Sequence, residues 1–91
     1  AAFIAAKMNA LGFEAVQIDR YGNVFGRVGQ GEKVILFDSH TDTVTVTDGE
    51  QWTRPPFSGE IVDGWLWGRG SVDMKAGLAA SIYAAAIYKG V

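Results

Sequence analysis

Lys33 is followed by four apolar residues in a row, Val34, Ile35, Leu36 and Phe37, and then by Asp38. Successive side chains of an extended chain point to opposite faces, so this run places hydrocarbon on both faces at once. Residues 33–38 therefore predict a central strand that needs neighbours on either edge and cover on either face. Everything else in the chain is read as what could supply them.

Upstream, Phe3, Ile4, Met8 and Leu11 recur at helical spacing over residues 1–11. Gly12 stands just past the helix end, where a left-handed residue closes it. Residues 14–19 predict a half-buried strand, with Ala15 and Gln17 on one face and Val16 and Ile18 on the other. A turn over 20–23 leads to a second strand over 23–28, and a glycine-rich turn over 29–32 precedes the apolar run. Downstream, 43–57 reads as a loop closed by Pro55 and Pro56. Residues 59–70 read as a hairpin turning at Asp63-Gly64, with Trp65 and Trp67 on one face as packing residues. Residues 73–89 predict an alanine-rich helix packing closely on the sheet, with Lys89 and Gly90 as its stop signals. Helix, strands and helix in this order predict an α/β layered fold with a mixed sheet.

Composition removes several function classes. A net charge of −2 without a basic run leaves no electrostatic footprint for nucleic acid or an anionic membrane. No apolar stretch approaches the ~20 residues that span a bilayer. The first residues lack the basic region and cleavage site of a signal peptide. With no cysteine there are no disulfides and no thiolate metal sites, which suits a cytoplasmic location. The chain starts without methionine inside a helix and stops directly after another, as a piece of a longer protein would.

The single histidine, His40, stands among acids just beyond the apolar run, with Asp38 two residues before it and Asp42 two after. Open α/β sheets gather functional groups at the C-terminal ends of their strands. In an extended backbone these three side chains share one side. A neutral imidazole ligates zinc well, and a neighbouring carboxylate fixes its tautomer. A histidine that merely hydrogen-bonds to nearby acids has the same spacing, so the triplet alone does not decide. Asp73 leaves the last hairpin at the start of a helix, where it reads either as an N-cap or as a carboxylate shared by two divalent ions. Lys75 reads as a solvent lysine of the first turn or as a partner of Asp73 or another acid of the site. Arg54 and Arg69 read as surface ion pairs or as holders of a substrate carboxylate.

The segments "SHTDTV", residues 39–44, and "WTRPPFSGEIVDGWLWGRGSVDMKAG", residues 52–77, decide the readings of His40 and Asp73 and leave those of Lys75, Arg54 and Arg69 open. Together they resemble the aminoacylase, acetylornithine deacetylase, succinyl-diaminopimelate desuccinylase and carboxypeptidase G family of di-zinc hydrolases. The resemblance implies that His40 ligates one zinc, that Asp42 orients its imidazole and tunes the site catalytically, and that Asp73 bridges both ions. It also implies a cis peptide after Asp73. Two Zn2+ ions are implied, with Co2+ or Mn2+ as alternatives set by availability. The fold implied is part of a three-layer α/β/α mixed-sheet catalytic domain of zinc-exopeptidase type. The activity implied is hydrolysis of the amide bond of peptides or N-acyl amino acids by metal-activated water, with a glutamate as general base.

The family pattern continues where this chain stops. Its Glu-Glu pair, its further acidic and histidine ligands and its lid domain, through which members dimerise, are not in these residues. Glu50 and Glu60 stand in no Glu-Glu context. Residues 1–91 are therefore expected to be the N-terminal portion of the metal-binding catalytic domain, inactive in isolation. The alternative is a non-catalytic binding or assembly module that keeps the scaffold. Retention of His40, Asp42 and Asp73 together favours the enzyme.

Overall fold

The computed structural model describes residues 1–89 and resolves into two compact units. One comprises Ala1–Leu36 with the chain from Ser81 onward, the other Phe37–Ala80. Gly90, read above as a helix stop, lies outside the described residues.

In the first unit, helix α1 (Ala2–Ala10) packs on the hairpin of β1 (Glu14–Ile18) and β2 (Val24–Arg27). The helix ends as the glycine demands. Gly12 takes φ +78°, and its N–H donates to Asn9 O at 2.9 Å while that of Phe13 donates to Met8 O at 3.0 Å. These paired bonds satisfy carbonyls that the last turn would leave open, and they bring Phe13 back over Met8. Met8 and Ala5 are buried, whereas Phe3, expected on the packed face, is 79% exposed. The packed stripe is thus narrower than the spacing predicts, because the hairpin covers only one side of α1.

The hairpin turn is organised by Asp19. Its carboxylate accepts the N–H groups of Tyr21 at 2.8 Å and Asn23 at 2.9 Å, and the Asn23 side-chain amide at 2.9 Å. Register runs Ile18 to Val24, Gln17 to Phe25, then Glu14 to Arg27, so Ala15 and Val16 together oppose Gly26. This is a β-bulge, with Ala15 at φ +51°. The bulge breaks the strict alternation expected of 14–19. At Gly26 a β-carbon would lie 2.8 Å from Phe13 Cδ1 and 2.9 Å from Met8 Sδ, so a bare backbone is what lets α1 close on the hairpin.

The apolar run does not form the predicted central strand. Among the described residues Val34, Ile35, Leu36 and Phe37 pair with no strand and are 71–81% exposed. The mixed sheet is likewise replaced by two separate two-stranded antiparallel sheets. A strand apolar on both faces exists only between neighbours, and none of the described residues takes either edge.

The second unit holds β3 (Ile61–Val62) and β4 (Trp65–Leu66), joined as predicted by Asp63-Gly64. Both turn residues have positive φ, +52° and +81°, the geometry that matches strand twist. Trp65 is 72% exposed, so it is not a core residue here. The preceding loop contains a short turn of helix at Gly49–Gln51 and is closed by the Ser58 N–H donating to Pro55 O. Helix α2 (Ala76–Tyr88) begins three residues later than predicted, because Asp73 and Met74 have non-helical backbone angles. Among its described residues only Ile82 is buried.

Two outcomes follow for the first unit. Gly26→Ala should destabilise it by about 1–3 kcal/mol through overpacking, read as a lower denaturation midpoint. The Asp19 carboxyl, held down chiefly by its bond to the Asn23 side chain, should titrate below the ordinary 3.8 in a carboxyl-resolved NMR titration. With the folded pKa depressed, the stability it lends the turn is present above that ordinary value and lost as pH falls through the folded one.

Candidate metal centre

The second unit brings together the residues that the sequence singles out. His40 Nε2 lies 3.0 Å from Asp73 Oδ1, across 33 positions of sequence. On the other side of the ring, Nδ1 lies 3.1 Å from the Asp42 carbonyl oxygen and 3.3 Å from its carboxylate. Asp42 thus approaches the imidazole more closely through its backbone than through its side chain. Asp38 makes no hydrogen bond or ion pair with His40 or Asp42 among the described residues, so the expected triplet is a pair. The Asp42 carbonyl is the main cause that raises the His40 pKa above the usual imidazole value. The two carboxylates add to it and partial desolvation opposes it.

Asp73 is free to face His40 because it does not cap the helix. It makes no capping bond, and the Asp73-Met74 peptide is cis. The turn that presents it starts at Gly70, which is buried and has φ +84°. A β-carbon there would lie 2.6 Å from Thr43 Cγ2. The Lys75 N–H closes the turn on Gly70 O at 2.9 Å. Among the described residues Lys75 pairs with no acid. Its ammonium donates to the Thr41 carbonyl at 2.7 Å, a contact invisible in the sequence because the acceptor is a main-chain atom 34 residues away.

The flanking residues behave as surface ion pairs. Arg54 bonds Glu60 at 3.0 Å and lies over the Trp67 ring, 5.4 Å from its centroid. Arg69 lies 3.7 Å from Asp48 and over Trp52 at 5.0 Å. Trp52, Trp67, Arg69 and Val72 line an open hollow that Asp73 also borders. Phe57, at the end of the proline loop, is 76% exposed.

Whether these groups suit a metal ion is a question of donor atoms and spacing. An imidazole nitrogen and a carboxylate oxygen are borderline and hard donors, as zinc, cobalt or manganese accept. Their 3.0 Å separation is close to the ~3.3 Å between neighbouring ligands of a tetrahedral zinc. Both side chains are reachable, at 46% and 80% exposure, and Asp73 Oδ2 has no hydrogen bond among the described residues. The pair fits. Among the described residues no group of three or more His, Cys, Asp or Glu side chains converges as a metal site.

Residues 36–90 match the family model of peptidase family M20/M25/M40, and the chain belongs to that family. The matched span contains His40, Asp42 and Asp73. Similar proteins include the succinyl-diaminopimelate desuccinylase of Cereibacter sphaeroides strain ATCC 17029, 49% identical over 82 residues that cover 86% of this chain and 22% of the relative. The Paracoccus denitrificans protein of the same name is 48% identical over 85 residues, 90% of this chain and 22% of the relative. Uncharacterized protein YgeY of Escherichia coli K12 is 37% identical over 86 residues, 94% of this chain and 21% of the relative. The chain thus spans roughly a fifth of the length of the curated relatives it matches.

Gly70→Ala should separate the two sides of this corner. We expect loss of the nuclear Overhauser contacts between the His40 ring and the Asp73 β-protons, with the α1–hairpin signals unchanged.

Proposed function

We propose that residues 1–91 are the N-terminal portion of the metal-binding catalytic domain of a hydrolase that cleaves the amide bond of a peptide or N-acyl amino acid. The observation that carries this reading is the 3.0 Å approach of His40 Nε2 to Asp73 Oδ1 within the span matched to the family. Because relatives are named succinyl-diaminopimelate desuccinylase, an N-succinyl amino acid is the substrate class we favour for the whole protein. In that protein the lid and dimerisation domain, the general-base glutamate and the remaining ligands would come from other segments, completing a three-layer α/β/α domain. We further infer a cytoplasmic homodimer. No described helix is long and apolar enough to cross a membrane.

His40 and Asp73 would hold the metal, two zinc ions in our reading with cobalt or manganese as alternatives, which when bound supplies Lewis acidity to activate water and polarise the scissile carbonyl. The chain's own residues prepare for it. Donation of Nδ1–H to the Asp42 carbonyl selects the tautomer whose Nε2 lone pair is available as a ligand. Asp73 turns Oδ1 toward that nitrogen, and its carboxylate would neutralise part of the charge of the bound metal. Asp42 stays outside the ligand set and acts through His40.

Equilibrium dialysis with Zn2+ tests the assignment. The chain should bind zinc more weakly than a site of three or four protein ligands, and His40→Ala or Asp73→Ala should cost about tenfold or more in affinity. The chain alone should not hydrolyse an N-succinyl amino acid. Binding unchanged in both variants would sink the metal assignment, and turnover by the chain alone would sink the reading as a portion of a larger site.

A further inference from the structure

We propose that Lys75 is a positioning residue of this centre, a cationic strut that ties the segment carrying His40 to the turn carrying Asp73. Two bonds from one residue make the tie. The ammonium donates to the Thr41 carbonyl at 2.7 Å, and the backbone N–H donates to the Gly70 carbonyl at 2.9 Å. Thr41 stands between His40 and Asp42, and the Asp42 carbonyl in turn accepts from the imidazole. Holding the Thr41 carbonyl therefore fixes the main chain on both sides of it. Gly70 begins the turn that delivers Asp73, so the other bond fixes the opposite wall.

The path of the side chain is built for this contact. A β-carbon at Gly70 would lie 2.9 Å from Lys75 Nζ and 3.6 Å from its Cδ, so the lysine crosses the bare face of the glycine to reach its acceptor. No carboxylate lies within ion-pair distance of Lys75 among the described residues, which leaves the charge to strengthen the bond to the carbonyl. Lys75 is exposed, but a lysine directed wholly into solvent would show neither the crossing nor the acceptor. The strut acts on the metal only through His40 and Asp73. This role rests on the metal reading proposed above, while the tie itself does not.

The test compares the 91-residue chain with Lys75→Met, which keeps length and loses the donor, and Lys75→Arg, which keeps a charged donor. The readouts are the Overhauser contacts between the His40 ring and Asp73 β-protons in metal-free protein, and affinity for Zn2+ by competition with a chromophoric chelator. Lys75→Met should lose the contacts and bind zinc about tenfold more weakly, the lower end of what outer-sphere supports contribute. Lys75→Arg should recover most of both. Contacts retained in Lys75→Met would overturn the proposal, as would an equal loss in Lys75→Arg. If the unsubstituted chain bound no zinc, the metal reading would fail, and the contacts alone would decide on Lys75. Should Lys75→Met unfold, a folded Lys75→Arg supports the strut and an unfolded one overturns it.

Discussion

With φ at +84° and Thr43 Cγ2 only 2.6 Å from where a β-carbon would sit, Gly70 makes the turn out of the last hairpin that a side-chain-bearing residue would strain. The approach of Asp73 to His40 depends on that turn. It reverses the chain after β4, offers its carbonyl to Lys75, and delays the start of α2 until Ala76. Asp73 is thereby left out of the helix with its carboxylate toward His40. Upstream, the Arg69 N–H donates to Pro56 O at 2.6 Å, so the proline loop is fastened to the same strand end. One backbone conformation thus decides whether an imidazole and a carboxylate 33 residues apart become neighbours.

The first unit uses the same device for a different end. Gly12 allows the left-handed close of α1, and Gly26 allows Phe13 and Met8 to meet over the bulged hairpin. Where side chains must lie directly against the backbone, a missing β-carbon makes the room. The contrast lies in what each unit leaves uncovered. The first has a small apolar core of Ala5, Met8 and Ile82, whereas residues 34–37 stay open to solvent. In the longer protein that we propose, such a run is where further strands and helices would cover both faces.

Much of the local structure was legible in the residues. Asp63-Gly64 has a single economical geometry between two short strands, and Gly12 after a helical run has one as well. The cis peptide after Asp73 came from the family resemblance and is present. What could not be read were contacts with main-chain atoms and contacts across long separations. Lys75 looked for an acid because sequence displays side chains, yet its partner is a carbonyl. Asp42 was expected to orient His40 by its carboxylate, but its carbonyl is the closer group. Asp38, on the same side by alternation, is not joined to the other two, because no ladder holds that segment as a regular strand.

By itself, then, the sequence determined which chemistry this chain offers. It has one histidine, a carboxylate in a glycine-flanked turn, no thiol, and a pattern that places it in its family. Those follow from residue identity and near-neighbour spacing, where backbone sterics leave few choices. The tertiary structure alone decided which donors converge, through which atoms they are held, and whether the apolar run becomes a strand. Those outcomes require partners distant in sequence, and a strand without neighbours or a ligand without its opposite has no fixed geometry.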